Sequence, residues 1–290
     1  MVLQPGREAP ADPRDQVATV LSGTGRRGRP LIVSLAPTPT GVDRDPMSAR
    51  AISLWTAKTA NYVVDELGLA PGDTLALALP CHWQAWVWLL AGVWSGVTVV
   101  PLRPGDPLPA DASVLVTTAA QAAAAPAGDA GAAGVDVVAM SLLPLAVPGP
   151  VPAGTLDYDT DVRAHGDRFS PSAPAGRVAL PPAADAGLRD AELRDAAGAV
   201  RAATAQDAVL LTRLPSDAAT FGAVWSALVA GAGLVLAPGL SETLATATLP
   251  ASVASALVAE GCTLAGDDDA AAALARAGAT GSGTAQDPPA

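Results

Sequence analysis

Apolar residues follow two alternating rhythms along this chain, one of helical period and one of strand period. The clearest helix spans Ala49–Leu67, where Ile52, Trp55, Tyr62, Val63 and Leu67 share one side. Ser48 is placed to cap it and Gly68 to stop it. Leu75, Leu77 and Leu79 alternate with alanines and predict a strand over Leu75–Leu79. Trp83–Trp94 is apolar on most sides and predicts a buried helix, followed by a strand over Val97–Val100. Upstream, a short helix over Asp15–Leu21 and a strand over Leu31–Leu35 flank a basic turn, Gly23–Arg29. Downstream come a strand at Ser113–Thr117, an Ala-rich helix, and a strand at Val135–Ala139.

The second half repeats the rhythm. Helices are predicted over Asp190–Ala203, Phe221–Val229, Val253–Glu260 and Ala270–Ala277. Strands are predicted over Ala208–Thr212, Leu234–Leu236 and Cys262–Leu264. Pro144–Pro152 and Pro171–Pro182 are connectors, the latter with a short strand at Arg177–Leu180. Strands alternating with helices predict an α/β fold of mainly parallel sheets flanked by helices. The expected organisation is an N-terminal arm (1–30), two βα-layered subdomains (31–165 and 166–277) and a disordered tail (278–290).

Composition narrows the function. Half of the 290 residues are hydrophobic but only 3% are aromatic, and the single lysine is Lys58. A net charge of −11 disfavours binding to nucleic acid. Thr74–Leu102 carries no formal charge over 29 residues, yet Pro80, His82, Gln84, Ser95-Gly96 and Pro101 interrupt it. Strand, buried helix, strand is the better division than a membrane span. Cys81 and Cys262 follow no metal or redox spacing, and the first residues lack the apolar core of a signal peptide. A cytoplasmic protein without membrane attachment, resident metal or cofactor is expected.

From Leu67 the chain reads L-G-L-A-P-G-D, then A-L-A-L-P ending at Pro80, Ala91-Gly92 in the next helix, and V-P-L-R-P ending at Pro104. Later, Asp207–Leu211 precedes Pro215, and Leu228–Ala232 precedes Leu234–Leu236. These segments resemble the N-terminal region of the adenylate-forming superfamily, which includes acyl-CoA synthetases, luciferase-like ligases and peptide-synthetase adenylation domains. The likeness spans roughly Leu31 to Leu264 and implies two layered subdomains like the front of such a ligase.

The same resemblance implies chemistry that the residues do not supply. The family's phosphate loop, of the type T-S-G-T-T-G-x-P-K-G, should fall in Phe169–Leu180. Ser170, Ser172 and Gly176 are there, but the threonines, the glycine density and the lysine are not, and Pro171 and Pro174 remove backbone donors. The family's Y-G-x-T-E segment, its ribose-binding aspartate and its C-terminal catalytic lysine have no counterpart. Lys58 lies on the polar side of the first strong helix, where a solvated surface lysine is expected.

Other motifs lead to no site. Gly23–Gly28 matches G-x-G-x-x-G, but Arg29-Pro30 and a strand follow it instead of a helix. Asp157, Asp159 and Asp161 alternate as in calcium loops, but Val162 and Arg168 stand where glycine and glutamate are needed, so solvated turn carboxylates are expected. Ser95 in Gly92–Gly96 is one place late for a nucleophile elbow. Asp267–Asp269 caps the helix after it.

One pocket candidate stands out: His82, at the turn from a strand's carboxyl end into a helix, where open α/β sheets place ligands. Four of six tryptophans crowd into the helix it opens. No catalytic, cofactor-binding or metal-binding residue is assigned. The expected function is a degenerate, non-catalytic homologue that keeps the scaffold for binding or assembly. One alternative is a half-enzyme binding an acyl or adenine-nucleotide ligand and completed by a partner chain. Another is a module dimerising through the Trp-rich region.

Overall fold

The strands that read as continuous apolar runs become central parallel strands buried on both faces, as such runs require. They are found in a computed structural model describing residues 12–26, 28–124, 134–143, 146–171, 174–180, 207–215, 217–240 and 250–265. The helices expected at Asp190–Ala203 and Ala270–Ala277, the Asp267–Asp269 cap and the tail from Gly278 lie outside these residues.

Two sheets form. In the first, β1 (Ile32–Thr38) and β2 (Gly41–Met47) make an antiparallel hairpin at one edge. Parallel strands β10 (Gly233–Leu236), β9 (Ala208–Leu211) and β11 (Cys262–Ala265) follow outward from β1. The second sheet is parallel throughout, in the order β7-β6-β5-β3-β4-β8. Its strands are β3 (Thr74–Ala78), β4 (Thr98–Pro101), β5 (Ala112–Thr118), β6 (Asp136–Met140), β7 (Leu156–Asp157) and β8 (Arg177–Val178). The α/β class with mainly parallel sheets is thus as expected. Residues 31–165 and 166–277 each supply strands to both sheets.

Between the sheets lie α1 (Pro13–Ser22), α2 (Ala49–Asn61), α3 (Trp83–Ser95) and α6 (Ala218–Val229). Alternation within each strand makes this layering work. Ile32, Val209, Leu211, Leu234 and Leu236 join Leu75, Leu77, Val114, Val116 and Val138 in one core around those helices. The opposite residues of the first sheet, Val33, Leu35, Leu210 and Val235, form a second core under α7 (Ala251–Ala259). α4 (Ala119–Ala124) packs beside β5 and β6, and α5 (Tyr158–Asp161) follows β7.

Two helix boundaries carry consequences. Ser48 Oγ accepts from the Ala51 amide at 3.1 Å, capping α2 as its position predicts. The predicted single helix to Leu67 instead widens into a π turn over Tyr62–Glu66 before Gly68 reverses the chain at φ +63°. α3 ends on Gly96 at φ +87°, where an added Cβ would meet Pro71 at 2.8 Å. Trp83, Trp86 and Trp88 are at most 1% exposed. They are core residues of this chain.

Candidate functional site

The candidate site lies at the turn from β3 into α3. β3 ends at Ala78, and Pro80 releases the chain from the ladder, since proline has no donor to continue it. His82 then adopts an extended conformation (φ −139°, ψ 152°) and caps α3: its Nδ1 accepts from the Gln84 amide at 3.4 Å. That bond fixes the proton of the neutral ring on Nε2. Burial lowers the His82 pKa from 6.5 to about 4, because a charged imidazole would lose its hydration. The ring sits 5.6 Å from Trp83, which in turn lies 5.7 Å from Trp55. Cys81 Sγ approaches the Leu211 carbonyl at 3.9 Å and ties this turn to the end of β9.

Beneath the cap is a buried polar knot that the sequence did not reveal. Gln84 is fully buried and donates to Asp159 Oδ1 at 3.4 Å, while Asp159 Oδ2 accepts from the Ser141 amide at 2.7 Å. Asp159 is itself completely buried, which corrects the expectation of a solvated turn carboxylate. Its neighbour Asp157 instead caps α5, accepting from Thr160 N at 3.2 Å and Thr160 Oγ1 at 2.7 Å. Arg163 closes the knot through backbone carbonyls, donating to Asp159 O at 3.0 Å and to Ala146 O. Leu142 and Ala146 hold positive φ (54° and 49°), a conformation L side chains adopt at a cost. Two buried polar atoms, Gln84 Oε1 and Trp86 Nε1, have no hydrogen-bond partner among the described residues.

Lys58 is not the solvated lysine its helical position suggested. Its Nζ donates to the carbonyls of His165 (2.6 Å) and Arg163 (3.3 Å) and pairs with Asp167 at 2.8 Å. One turn on, Asn61 Nδ2 donates to Gly166 O and Arg168 O, each at 2.9 Å. The two side chains form a clasp over residues 163–168. Residues 163–168 belong to no strand, so their carbonyls have no ladder partners, and the His165 ring stands edge-on to Tyr62 at 5.4 Å.

From that clasp the chain runs past Phe169, stacked on Trp94 at 6.4 Å, to β8 at the sheet edge. There the amides of Gly176, Arg177 and Ala179 donate to the carbonyls of Val93, Val97 and Val99. Gly176 is required by packing, since a Cβ would meet Gly92 O at 2.2 Å and Val97 O at 2.3 Å. Hence the C-terminal part of the Phe169–Leu180 interval contains an edge strand, and the Gly176, Arg177 and Ala179 amides are engaged. Ser172 lies outside the described residues. The basic turn after α1 is likewise structural: the buried Arg26 guanidinium donates to Pro30 O and Gly231 O. Among the described residues, no group of three His, Cys, Asp or Glu side chains could hold a metal ion. No helix among them is long and apolar enough to cross a membrane.

This arrangement of two sheets around a layer of helices is the fold of the N-terminal part of adenylate-forming ligases. An acyl-CoA synthetase from Brucella canis superposes with a TM-score of 0.57 at 16% identity, over 85% of this chain and 46% of that one. MatB from Rhodopseudomonas palustris gives 0.53 at 17% identity, over 81% and 48%. The N-terminal subdomain of Klebsiella oxytoca NpsA gives 0.51 at 16%, over 87% and 59%. This chain thus spans about half the length of those proteins. No family model matches it. In sequence it is 35% identical over 171 residues to a TIGR03089 family protein of Mycobacterium tuberculosis, covering 59% of this chain and 67% of that relative. The chain belongs to the TIGR03089 family.

Proposed function

We propose that this chain is a non-catalytic homologue of the N-terminal part of adenylate-forming ligases, retaining the scaffold for binding or assembly in the cytoplasm. The observation that carries this reading is the state of the anion-binding parts. The Gly176, Arg177 and Ala179 amides are spent on the Val93, Val97 and Val99 carbonyls, so they cannot cradle a triphosphate. The single lysine is held in a clasp by two carbonyls and Asp167. An acyl-adenylate transition state places negative charge on the reacting phosphoryl oxygens. Its stabilisation needs preorganised donors or cations at that point. Arginine elsewhere does not replace a compact ammonium there.

The test is adenylation itself. The purified chain is incubated with ATP, magnesium and a panel of aliphatic and aromatic carboxylic acids, and pyrophosphate release and acyl-AMP are measured. No product above the protein-free control is expected. Acyl-AMP formed in proportion to protein concentration, and lost on heat denaturation, would overturn the reading. Scaffold binding has its own readout. A ligand at a hundred times its Kd should stabilise the fold by about 2.7 kcal/mol, so ATP, AMP and CoA are screened by melting temperature alongside.

A further inference from the structure

The second sheet contains a topological feature that neither the reading above nor its failure touches. In the order β7-β6-β5-β3-β4-β8, the chain leaves β3 toward β4 on one side. It then returns past β3 to β5 and continues away through β6 and β7. The direction of winding reverses between β3 and β5. The connections from these two strands lie on opposite faces: α3 belongs to the inter-sheet core, and α4 stands on the outer face beside β5 and β6. Such a switch point opens a crevice at the carboxyl ends of the two strands, and open α/β sheets bind ligands there.

An open cleft of about 1050 Å³ reaches that place and runs across the outer face of the sheet to the amino ends of β6 and β7. Its lining includes Ala78–Pro80 after β3 and Thr117–Thr118 at the end of β5. Topology and cavity are independent observations, and they overlap at the ends of β3 and β5. We propose that this cleft is a small-molecule site for an uncharged, flat amphipathic ligand bearing a carbonyl edge.

The ligand class follows from the lining. Leu115 and Val137 supply an apolar outer-face floor, opposite in register to the core residues Val114, Val116 and Val138. The polar side is a cluster at the start of α4. Thr117 Oγ1 and Thr118 Oγ1 donate to Gln121 Oε1 at 3.0 and 2.9 Å. With its oxygen occupied, Gln121 presents its amide N–H groups, which have no acceptor among the described residues. The complementary group on a ligand is therefore an acceptor. Charge argues against an anion. Arg103 on the rim is paired with Asp106 (Nε to Oδ2, 3.4 Å; backbone N to Oδ2, 2.9 Å), and the exposed Asp136 adds a further carboxylate. The Gln121 amide of α4 is taken as well, donating to Thr118 Oγ1 at 3.1 Å.

Three probes of one shape separate the classes: benzamide (neutral), benzoate (anionic) and benzamidine (cationic). Each is titrated against the whole chain by saturation-transfer NMR. Benzamide should bind saturably with a Kd in the low-millimolar range expected of so small a ligand, and the two charged probes about tenfold more weakly. Gln121→Leu, at an exposed site, should weaken benzamide by about tenfold by removing the donor. Ala122→Trp should abolish its binding by filling the cleft from α4. Matching melting curves establish that both variants are folded. The proposal is overturned if benzamide does not bind, if it binds both folded variants as it binds wild type, or if either charged probe binds more tightly. Activity in the adenylation assay would leave each of these outcomes unchanged.

Discussion

Acid should destabilise this protein through His82, by an amount that can be worked out. The neutral ring caps α3 from a partly buried position, and burial brings its pKa to about 4, against 6.5 unperturbed. Between those values the unfolded chain binds a proton that the folded chain refuses, so stability rises with pH across that window. The contribution is complete above the unfolded pKa and disappears as pH falls toward the folded one. From about pH 7 to about pH 5 the loss amounts to about 2 kcal/mol. Carboxylates titrate in this range too, so the informative quantity is a difference between proteins. Asn is a good N-cap without a titrating group in this range, and His82→Asn keeps the helix start while removing the proton. Urea unfolding of both proteins at the two pH values gives four free energies. Wild type should lose about 2 kcal/mol more than His82→Asn on acidification. Equal losses would mean that the ring is solvated in the folded state, and the capping geometry described for it would be wrong.

Three further outcomes follow from the knot, the clasp and the edge strand. Asp159→Ala strands the Ser141 amide and Gln84 Nε2 in the core and should cost about 3 kcal/mol in urea unfolding; a change under about 1 kcal/mol would refute the buried pairing. Lys58→Met should cost about 1–2 kcal/mol and raise amide exchange selectively around 163–168, whereas a uniform rise would contradict a local clasp. Gly176→Ala places a Cβ against two backbone carbonyls that cannot move aside. Amide exchange should therefore accelerate at Arg177 and Ala179 while β5 remains protected, and unchanged exchange at Arg177 would exclude the ladder with β4.

What could be read from the residues alone is what depends on neighbours in the chain. Ser48 fixes the start of α2, Gly68 the reversal after the π turn that follows it, and Gly96 the end of α3, through local hydrogen bonds and backbone angles, and alternating leucines mark β3. The Trp-rich helix is apolar all round because it sits between two sheets, a burial its composition already implied. β2 was not foreseen because its sequence, G-V-D-R-D-P-M, carries charges and a proline. These are tolerated on an edge strand, where one side of the ladder faces no partner. Sheet membership was beyond reach as well: β1 finds β10 some two hundred residues later, and nothing in either segment names the other.

The same distinction separates the two kinds of polar residue at the candidate site. The place of His82 at the start of α3 could be read because a strand-to-helix turn is a local event. Asp159 and Lys58 were misjudged because their partners are distant in sequence: Ser141 and Gln84 for the carboxylate, the 163–168 carbonyls for the ammonium. Helical periodicity put Lys58 on a polar side, which is correct, and polar was equated with solvated, which is not. A lysine among exposed carbonyls gains charge-assisted hydrogen bonds that bulk water would otherwise supply. In a chain with one lysine, that placement bears directly on chemistry. An ammonium committed to two carbonyls and a carboxylate on α2 could meet a phosphate only by releasing the segment it holds.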